Sequence, residues 1–111
     1  LNIVKAVVDN SLNIKFFSRS HIPFNSISSF RQLGMIGFTK KALQQYSSLL
    51  PTLLEEIESI DMMRLLENDL PLKGVLSSSL ILGVDNPEDI KKAETMMTDD
   101  RFIDIYKEKY I

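Results

Sequence analysis

Apolar and polar positions alternate at short range in the first third of the chain. Residues 2–8 (NIVKAVV) are rich in β-branched side chains, and residues 12–18 (LNIKFFS) alternate apolar and polar positions, with the turn formers DNS between them. This pattern predicts a hairpin or two adjacent strands. Residues 32–38 (QLGMIGF) form an apolar run that predicts a short buried strand.

Helical signals follow in the middle of the chain. Thr39 precedes KKALQQYSS as a predicted N-cap. Thr52 and Glu55 have the T-x-x-E spacing of a capping box, which predicts a second helix that ends at the sequence NDLP. One apolar face is predicted for that helix from the spacing of Leu53, Ile57, Ile60, Met63 and Leu66. Arg64 follows Asp61 by three positions, which predicts a local ion pair.

The last forty or so residues mix short apolar runs with helical patterns. LKGVL (72–76) and LILGV (80–84) predict short strands, while PEDIKKAETMM (87–97) and the tail DDRFIDIYKEKYI (99–111) predict helices. Strands that alternate with helices indicate an α/β fold with a mixed sheet. No repeat or linker interrupts the sequence, so we expect residues 1–111 to form a single unit.

Composition narrows the classes of function. Thirteen basic and fifteen acidic residues give a net charge of −2 without a basic stripe, which argues against a nucleic-acid partner. Uncharged stretches such as residues 74–84 are too short to span a bilayer, so no membrane partner is expected. The absence of cysteine excludes disulfides and thiolate metal sites and fits a cytoplasmic setting.

Two side chains are candidates for ligand binding. Arg19 ends the second predicted strand, where it is either a solvated residue or a guanidinium that binds a carboxylate or phosphate bidentately. Asp85 precedes a helix start that Asn86, Pro87 and Asp89 complete without it. A spare carboxylate after a strand lies where open α/β sheets bind ligands, and Mg²⁺ prefers such oxygen ligands. A surface role remains open for both residues.

Four segments, in order, resemble the C-terminal half of the 3-deoxy-manno-octulosonate (Kdo) and acylneuraminate cytidylyltransferase family. They are KFFSRSHIP (15–23), RQLGMIGFTKKALQQYSSL (31–49), LLEEIESIDMMRLLEND (53–69) and GVDNPEDIKKAE (83–94). The resemblance implies the C-terminal part of a three-layer, Rossmann-like nucleotide-diphospho-sugar transferase fold and a homodimer. It also implies an enzyme of lipopolysaccharide or surface polysaccharide synthesis that transfers CMP from CTP to a Kdo- or sialic-acid-like sugar, with Mg²⁺ as cofactor and pyrophosphate as product.

The resemblance also implies roles for individual residues, although it marks none of them as certainly catalytic. Asp85 is expected to bind Mg²⁺, and Arg19 to lie near the sugar. Sugar-contacting positions of the family are occupied here by Gln32, Ile36, Asp61 and Met62. Kdo enzymes tend to have His, Tyr, Glu and Gln at these positions, so we expect a less polar pocket and an acidic sugar related to Kdo rather than Kdo itself.

The family's CTP-binding loop, which is rich in glycine and basic residues, has no counterpart in these residues. We therefore expect the chain to be the C-terminal portion of a longer cytidylyltransferase and to be inactive alone. The alternative is a non-catalytic dimerisation or interaction module derived from the same scaffold. Asp85 and Arg19 favour the enzyme, and the sequence upstream of Leu1 would discriminate between the two.

Overall fold

The computed structural model describes residues 3–78 and 81–110. The chain divides into two compact units, residues 1–77 and 78–111, which we describe separately. The first unit contains β1 (Lys5–Val8), β2 (Ile14–Ser18), β3 (Phe30–Arg31), α1 (Lys40–Ser48), α2 (Leu53–Glu58) and α3 (Met63–Glu67). The second contains α4 (Pro87–Thr98) and α5 (Ile103–Tyr110). Helices with a sheet confirm the α/β class, and the prediction that residues 1–111 act as one unit stays a prediction.

The hairpin predicted at the start of the chain is confirmed. β1 pairs with β2 in antiparallel register, with Ala6 opposite Phe17, and β3 pairs on the other side of β1, also antiparallel. In the turn, the Asp9 carboxylate accepts hydrogen bonds from the side chain and backbone N–H of Asn13 and from the Ser11 N–H, each 2.9 Å long. Led by the Asn13 side chain, these bonds hold the pKa of Asp9 at about 2.

The strand predicted for residues 32–38 is wrong, since none of these residues belongs to a strand. β3 ends at Arg31, and the Gln32 N–H still donates to the Val4 carbonyl at 2.9 Å, but residues 33–38 form no strand. Met35 is 82% exposed. Gly34 and Gly37 account for the difference, because glycine weakens a strand and contributes no side chain to its packing.

The two apolar runs near residue 80 are not strands among the described residues. In LKGVL, Lys73 forms an isolated antiparallel bridge with Asn13, and the Gly74 N–H donates to the Leu12 carbonyl at 2.7 Å. In LILGV, residues 81–84 form no strand, and Leu80 lies outside the described residues.

The helix α1 begins as predicted, with Thr39 Oγ1 accepting a hydrogen bond from the Ala42 N–H at 3.1 Å.

The single helix predicted from Thr52 onward is two helices, α2 and α3. They are separated by residues 59–62, which we call the corner. Ser59 has a φ of 53°, which ends α2 in the left-handed region. The predicted single apolar face is therefore wrong: Leu53 is 67% exposed, whereas Met63 is completely buried.

At the start of α2, one of the two hydrogen bonds of the predicted capping box is formed, the one accepted by the Glu55 side chain. The Thr52 N–H donates to Glu55 Oε2 at 3.2 Å. The Thr52 hydroxyl faces the backbone of Glu55 in the arrangement of a capping box, but it forms no side-chain cap hydrogen bond. Thr52 Oγ1 is buried and has no hydrogen-bond partner among the described residues.

The core of the first unit lies between the hairpin and the corner. Its buried apolar residues are Ala6, Phe17, Ile60, Met62, Met63 and Leu65. Phe38 and Tyr46 are among the partly buried residues that pack against this cluster. Because four of these six core residues follow the break at Ser59, the break directs this part of the chain inward.

The second unit contains the two helices predicted for it. Asn86 Oδ1 accepts from the backbone N–H groups of Glu88 and Asp89 at 3.1 and 3.0 Å, and Pro87 is the first helical residue of α4. α5 confirms the helix predicted in the tail. Within residues 3–78 and 81–110, every helix is too short or too polar to cross a membrane.

Candidate functional site

A cleft of about 190 Å³ lies where the sheet meets the corner between α2 and α3. We call it the corner cleft, and its lining residues are Val4, Arg19, Gln32, Ile36, Ser59, Ile60, Asp61 and Met62. All five residues predicted for the sugar side are among them. The structure therefore brings together positions that come from distant segments of the sequence, and their role as a sugar site stays a prediction.

Arg19 enters the cleft from the end of β2, and carbonyl groups of α2 hold its guanidinium. Nε donates to the Glu58 carbonyl at 3.0 Å and Nη2 donates to the Ser59 carbonyl at 2.8 Å. A cation is favoured there, because unpaired carbonyls give the C-terminal end of a helix a partial negative charge. Arg19 is nevertheless exposed, so the surface reading and the ligand-binding reading both stay predictions, and two of its donors are engaged by the protein itself.

Gln32 and Ile36 form the side of the cleft that follows β3. The hydrogen bond from the Gln32 backbone to Val4 extends the pairing of β1 with β3 by one residue and fixes where Gln32 lies. Ile36 follows in the irregular segment and is 38% exposed. This part of the lining therefore contributes one amide and one aliphatic residue.

Asp61 and Met62 line the cleft from the corner. Asp61 is exposed, whereas Met62 is 6% exposed and also belongs to the core cluster. Met62 thus belongs both to the lining of the cleft and to the core. A change at Met62 is consequently expected to affect both packing and ligand binding.

Sequence reasoning missed the polar residues that hold the corner in place. Ser18 Oγ donates to both carboxylate oxygens of Glu58, at 3.2 Å to Oε1 and 3.0 Å to Oε2. The Arg19 backbone N–H also donates to Glu58 Oε2, at 3.3 Å. No local signal indicates these bonds, because they join residues about 40 positions apart.

The lining is divided equally between polar and apolar residues. One guanidinium, one carboxylate, one amide and one hydroxyl face the cleft together with four aliphatic or thioether side chains. In sites for small ligands, polar groups fix the orientation of the ligand and apolar groups supply contact area. The cleft can therefore bind an anion through Arg19 and hydroxyl groups through Asp61 and Gln32.

Asp85, the predicted metal ligand, lies in the second unit and is exposed. Its backbone N–H donates to Asp89 Oδ2 at 3.2 Å, while Asn86 supplies the cap of α4. The carboxylate of Asp85 is thus not needed to start the helix. In the part of the chain that the structure describes, no three His, Cys, Asp or Glu side chains converge on a metal site. A single carboxylate still fits Mg²⁺, which commonly takes one or two carboxylates with phosphates and waters.

Comparisons with known proteins identify related sequences and a related fold. No family model matches the chain. A 3-deoxy-manno-octulosonate cytidylyltransferase of Chlorobium limicola is 37% identical over 101 residues, which cover 86% of this chain and 41% of that protein. A protein of the same name from Rickettsia rickettsii is 40% identical over 90 residues, covering 81% and 37%.

A solved structure extends the agreement to the fold. The structure of CMP:2-keto-3-deoxy-manno-octonic acid synthetase complexed with CTP matches with a TM-score of 0.79 and 27% identity, over 86% of this chain and 42% of that one. These findings confirm the predicted resemblance and fold. The chain spans 41% of the length of the Chlorobium relative and matches its C-terminal part.

Proposed function

We propose that this chain, which corresponds in sequence and fold to the C-terminal part of 3-deoxy-manno-octulosonate cytidylyltransferases, supplies the sugar-binding side of an enzyme that transfers CMP from CTP to an acidic sugar. The observation that carries the proposal is the corner cleft. Five positions expected on the sugar side from the resemblance line this one cavity, although they lie up to 43 residues apart in the sequence, from Arg19 to Met62.

In this proposal each side chain has a binding role. The positive charge of Arg19 attracts the carboxylate of the sugar, as charge-assisted contacts are the strongest polar ones available. Asp61 accepts hydrogen bonds from sugar hydroxyls, and Gln32 both donates and accepts. Ile36 and Met62 offer apolar contact only. This favours an acidic sugar that presents fewer hydrogen-bonding groups than Kdo to these two positions.

The remaining parts of the reaction belong to groups outside the cleft. Asp85 contributes one oxygen ligand to Mg²⁺, which when bound neutralises phosphate charge during pyrophosphate release. By the resemblance, the family's CTP-binding loop lies outside the part that this chain matches, so we propose that the 111-residue chain alone is inactive. We also propose that the enzyme is a cytoplasmic homodimer. The resemblance supports the dimer, and the lack of cysteine supports the compartment.

A chimera tests the proposal. The chain replaces the matched C-terminal part of the Chlorobium limicola relative, and pyrophosphate release is measured with CTP and a panel of acidic sugars. We expect release that requires both CTP and an acidic sugar, and none from the 111-residue chain alone. The intact relative is the control. A folded chimera that binds CTP yet releases no pyrophosphate with any sugar would favour the non-catalytic interaction module instead.

A further inference from the structure

The corner that carries Asp61 and Met62 is fastened to the end of β2 by one carboxylate. Ser18 is 3% exposed, and its hydroxyl donates to Glu58 while accepting the Ser20 N–H at 3.0 Å. The Arg19 backbone N–H donates a further hydrogen bond to the same carboxylate. We call this arrangement of Ser18, Arg19 and Glu58 the clasp.

The clasp holds Glu58 at both its side chain and its backbone. The carboxylate binds Ser18 and the Arg19 N–H, while the Glu58 carbonyl accepts from Arg19 Nε at 3.0 Å. Lys5 Nζ in turn donates to the Arg19 carbonyl at 2.6 Å, which ties the clasp to β1. Glu58 is therefore fixed to the sheet, although it belongs to the last turn of α2.

The residue that follows Glu58 shows why this attachment matters. Ser59 has a φ of 53°, a conformation that costs a non-glycine residue free energy and persists only when its surroundings enforce it. Asp61 and Met62 lie two and three residues further on, in the wall of the corner cleft. Without the clasp, the corner has fewer constraints to keep it in this conformation.

We infer that Glu58 is a positioning residue of the corner cleft, which sets the affinity for an acidic sugar without lining the cleft itself. The inference rests on the proposed function for its ligand, but the placement of Asp61 and Met62 can be tested without ligand. Glu58 acts through the clasp and the corner, so a conservative amide that still accepts a hydrogen bond from Ser18 is expected to preserve most of its effect.

The test compares Glu58→Ala, Glu58→Gln and Glu56→Gln in the 111-residue protein by backbone amide NMR. Glu56 is an exposed glutamate on the same helix and serves as the matched control. In the ligand-free protein, Glu58→Ala should shift the amide resonances of Asp61 and Met62, whereas Glu56→Gln should leave them unchanged. In titrations with acidic sugars, Glu58→Ala should lower the affinity at least about tenfold, equal to ~1.4 kcal/mol. Glu58→Gln should retain most of the wild-type affinity.

Two results overturn the inference. One is a folded Glu58→Ala protein with unchanged Asp61 and Met62 resonances, and the other is an equal response in Glu56→Gln. If Glu58→Ala does not fold, the same amide resonances of Asp61 and Met62 are measured in Ser18→Ala. That variant removes the hydroxyl that donates to the Glu58 carboxylate. If the wild-type protein binds no acidic sugar, the proposed function fails, while the ligand-free spectra still decide whether Glu58 positions the corner.

Discussion

The Arg64 guanidinium makes two hydrogen bonds to the Glu55 carboxylate, with Nε to Oε2 at 2.8 Å and Nη2 to Oε1 at 2.6 Å, and so joins α3 to α2 across the corner. The two side chains are 16% and 10% exposed. The Tyr46 ring packs against the guanidinium, with 4.8 Å from its centroid to Arg64 Cζ. The local ion pair predicted between Asp61 and Arg64 is therefore wrong, because Arg64 reaches back to Glu55 instead.

Replacing Glu55 should lower stability and change its dependence on pH. Glu55→Gln removes a carboxylate that accepts charge-assisted hydrogen bonds, at a cost of about 1–3 kcal/mol, whereas the exposed Glu56→Gln should change the free energy of unfolding by less than about 0.5 kcal/mol. Urea unfolding at pH 7 measures both. Equal midpoints for Glu55→Gln and wild type would show that the pair contributes no stability.

The pH dependence follows from the direction of the pKa shift. The hydrogen bonds from Arg64 lower the pKa of Glu55 below its usual value, outweighing burial, which raises it. Glu55 therefore contributes its stability above the unfolded pKa of about 4.5, and this contribution is lost as pH falls through the lower folded pKa. Wild type should lose stability more steeply than Glu55→Gln below pH ~4.5. The pKa of Asp9 is also lowered, so the free energy of unfolding should still decrease with falling pH in both proteins.

The two threonine caps should differ in their effect on stability. Thr39 Oγ1 accepts a hydrogen bond from Ala42, so Thr39→Ala should destabilise the protein by about 1 kcal/mol. Thr52 Oγ1 has no partner among the described residues, so Thr52→Ala should cost less than Thr39→Ala. Denaturant midpoints of the two variants provide the comparison. A larger loss for Thr52→Ala would show that its hydroxyl does cap α2 in solution.

Local features of this fold could be predicted from the sequence, while features that depend on distant contacts could not. The hairpin and the caps at Thr39 and Asn86 rest on residues within a few positions of one another. The corner breaks a continuous helical pattern, and the bonds that hold it come from a strand about 40 residues earlier. The residues that line the cleft could be selected from the family resemblance. The carbonyl partners of Arg19 could not be predicted, because they depend on the break between α2 and α3.

The sugar preference of the cleft should respond to one hydroxyl group at position 36. Ile36→Tyr introduces a hydroxyl where Kdo enzymes are expected to have one, so it should tighten Kdo binding by roughly two- to tenfold relative to Ile36→Phe, the amount that one net hydrogen bond contributes. Ile36→Phe adds the ring without the hydroxyl and is the matched control. Calorimetric titration of both variants with Kdo measures the ratio. Equal affinities would mean that this position does not bind a sugar hydroxyl.

Asp85 should matter for metal binding and transfer but not for folding. In the chimera described above, Asp85→Asn should abolish pyrophosphate release, since it removes a charged Mg²⁺ ligand. It should leave the helix content unchanged, because Asn86 and Asp89 start α4 without the Asp85 carboxylate. Broadening of amide resonances near residue 85 by Mn²⁺ provides a second readout. Glu88→Gln, at the same helix start, should behave like wild type in both assays.

The central claim, that the corner cleft binds an acidic sugar, is tested most directly with ¹³C-methyl-methionine NMR of the 111-residue protein. Met62 lines the cleft, whereas Met35 does not and is exposed. On titration with Kdo, a sialic acid and a neutral sugar of similar size, we predict a saturable shift of the Met62 methyl with an acidic sugar, an unmoved Met35 methyl and no response to the neutral sugar. Kdo should bind about ten- to a hundredfold more weakly than the best acidic sugar. A Met62 methyl that responds to no acidic sugar, or equally to the neutral one, would contradict the account.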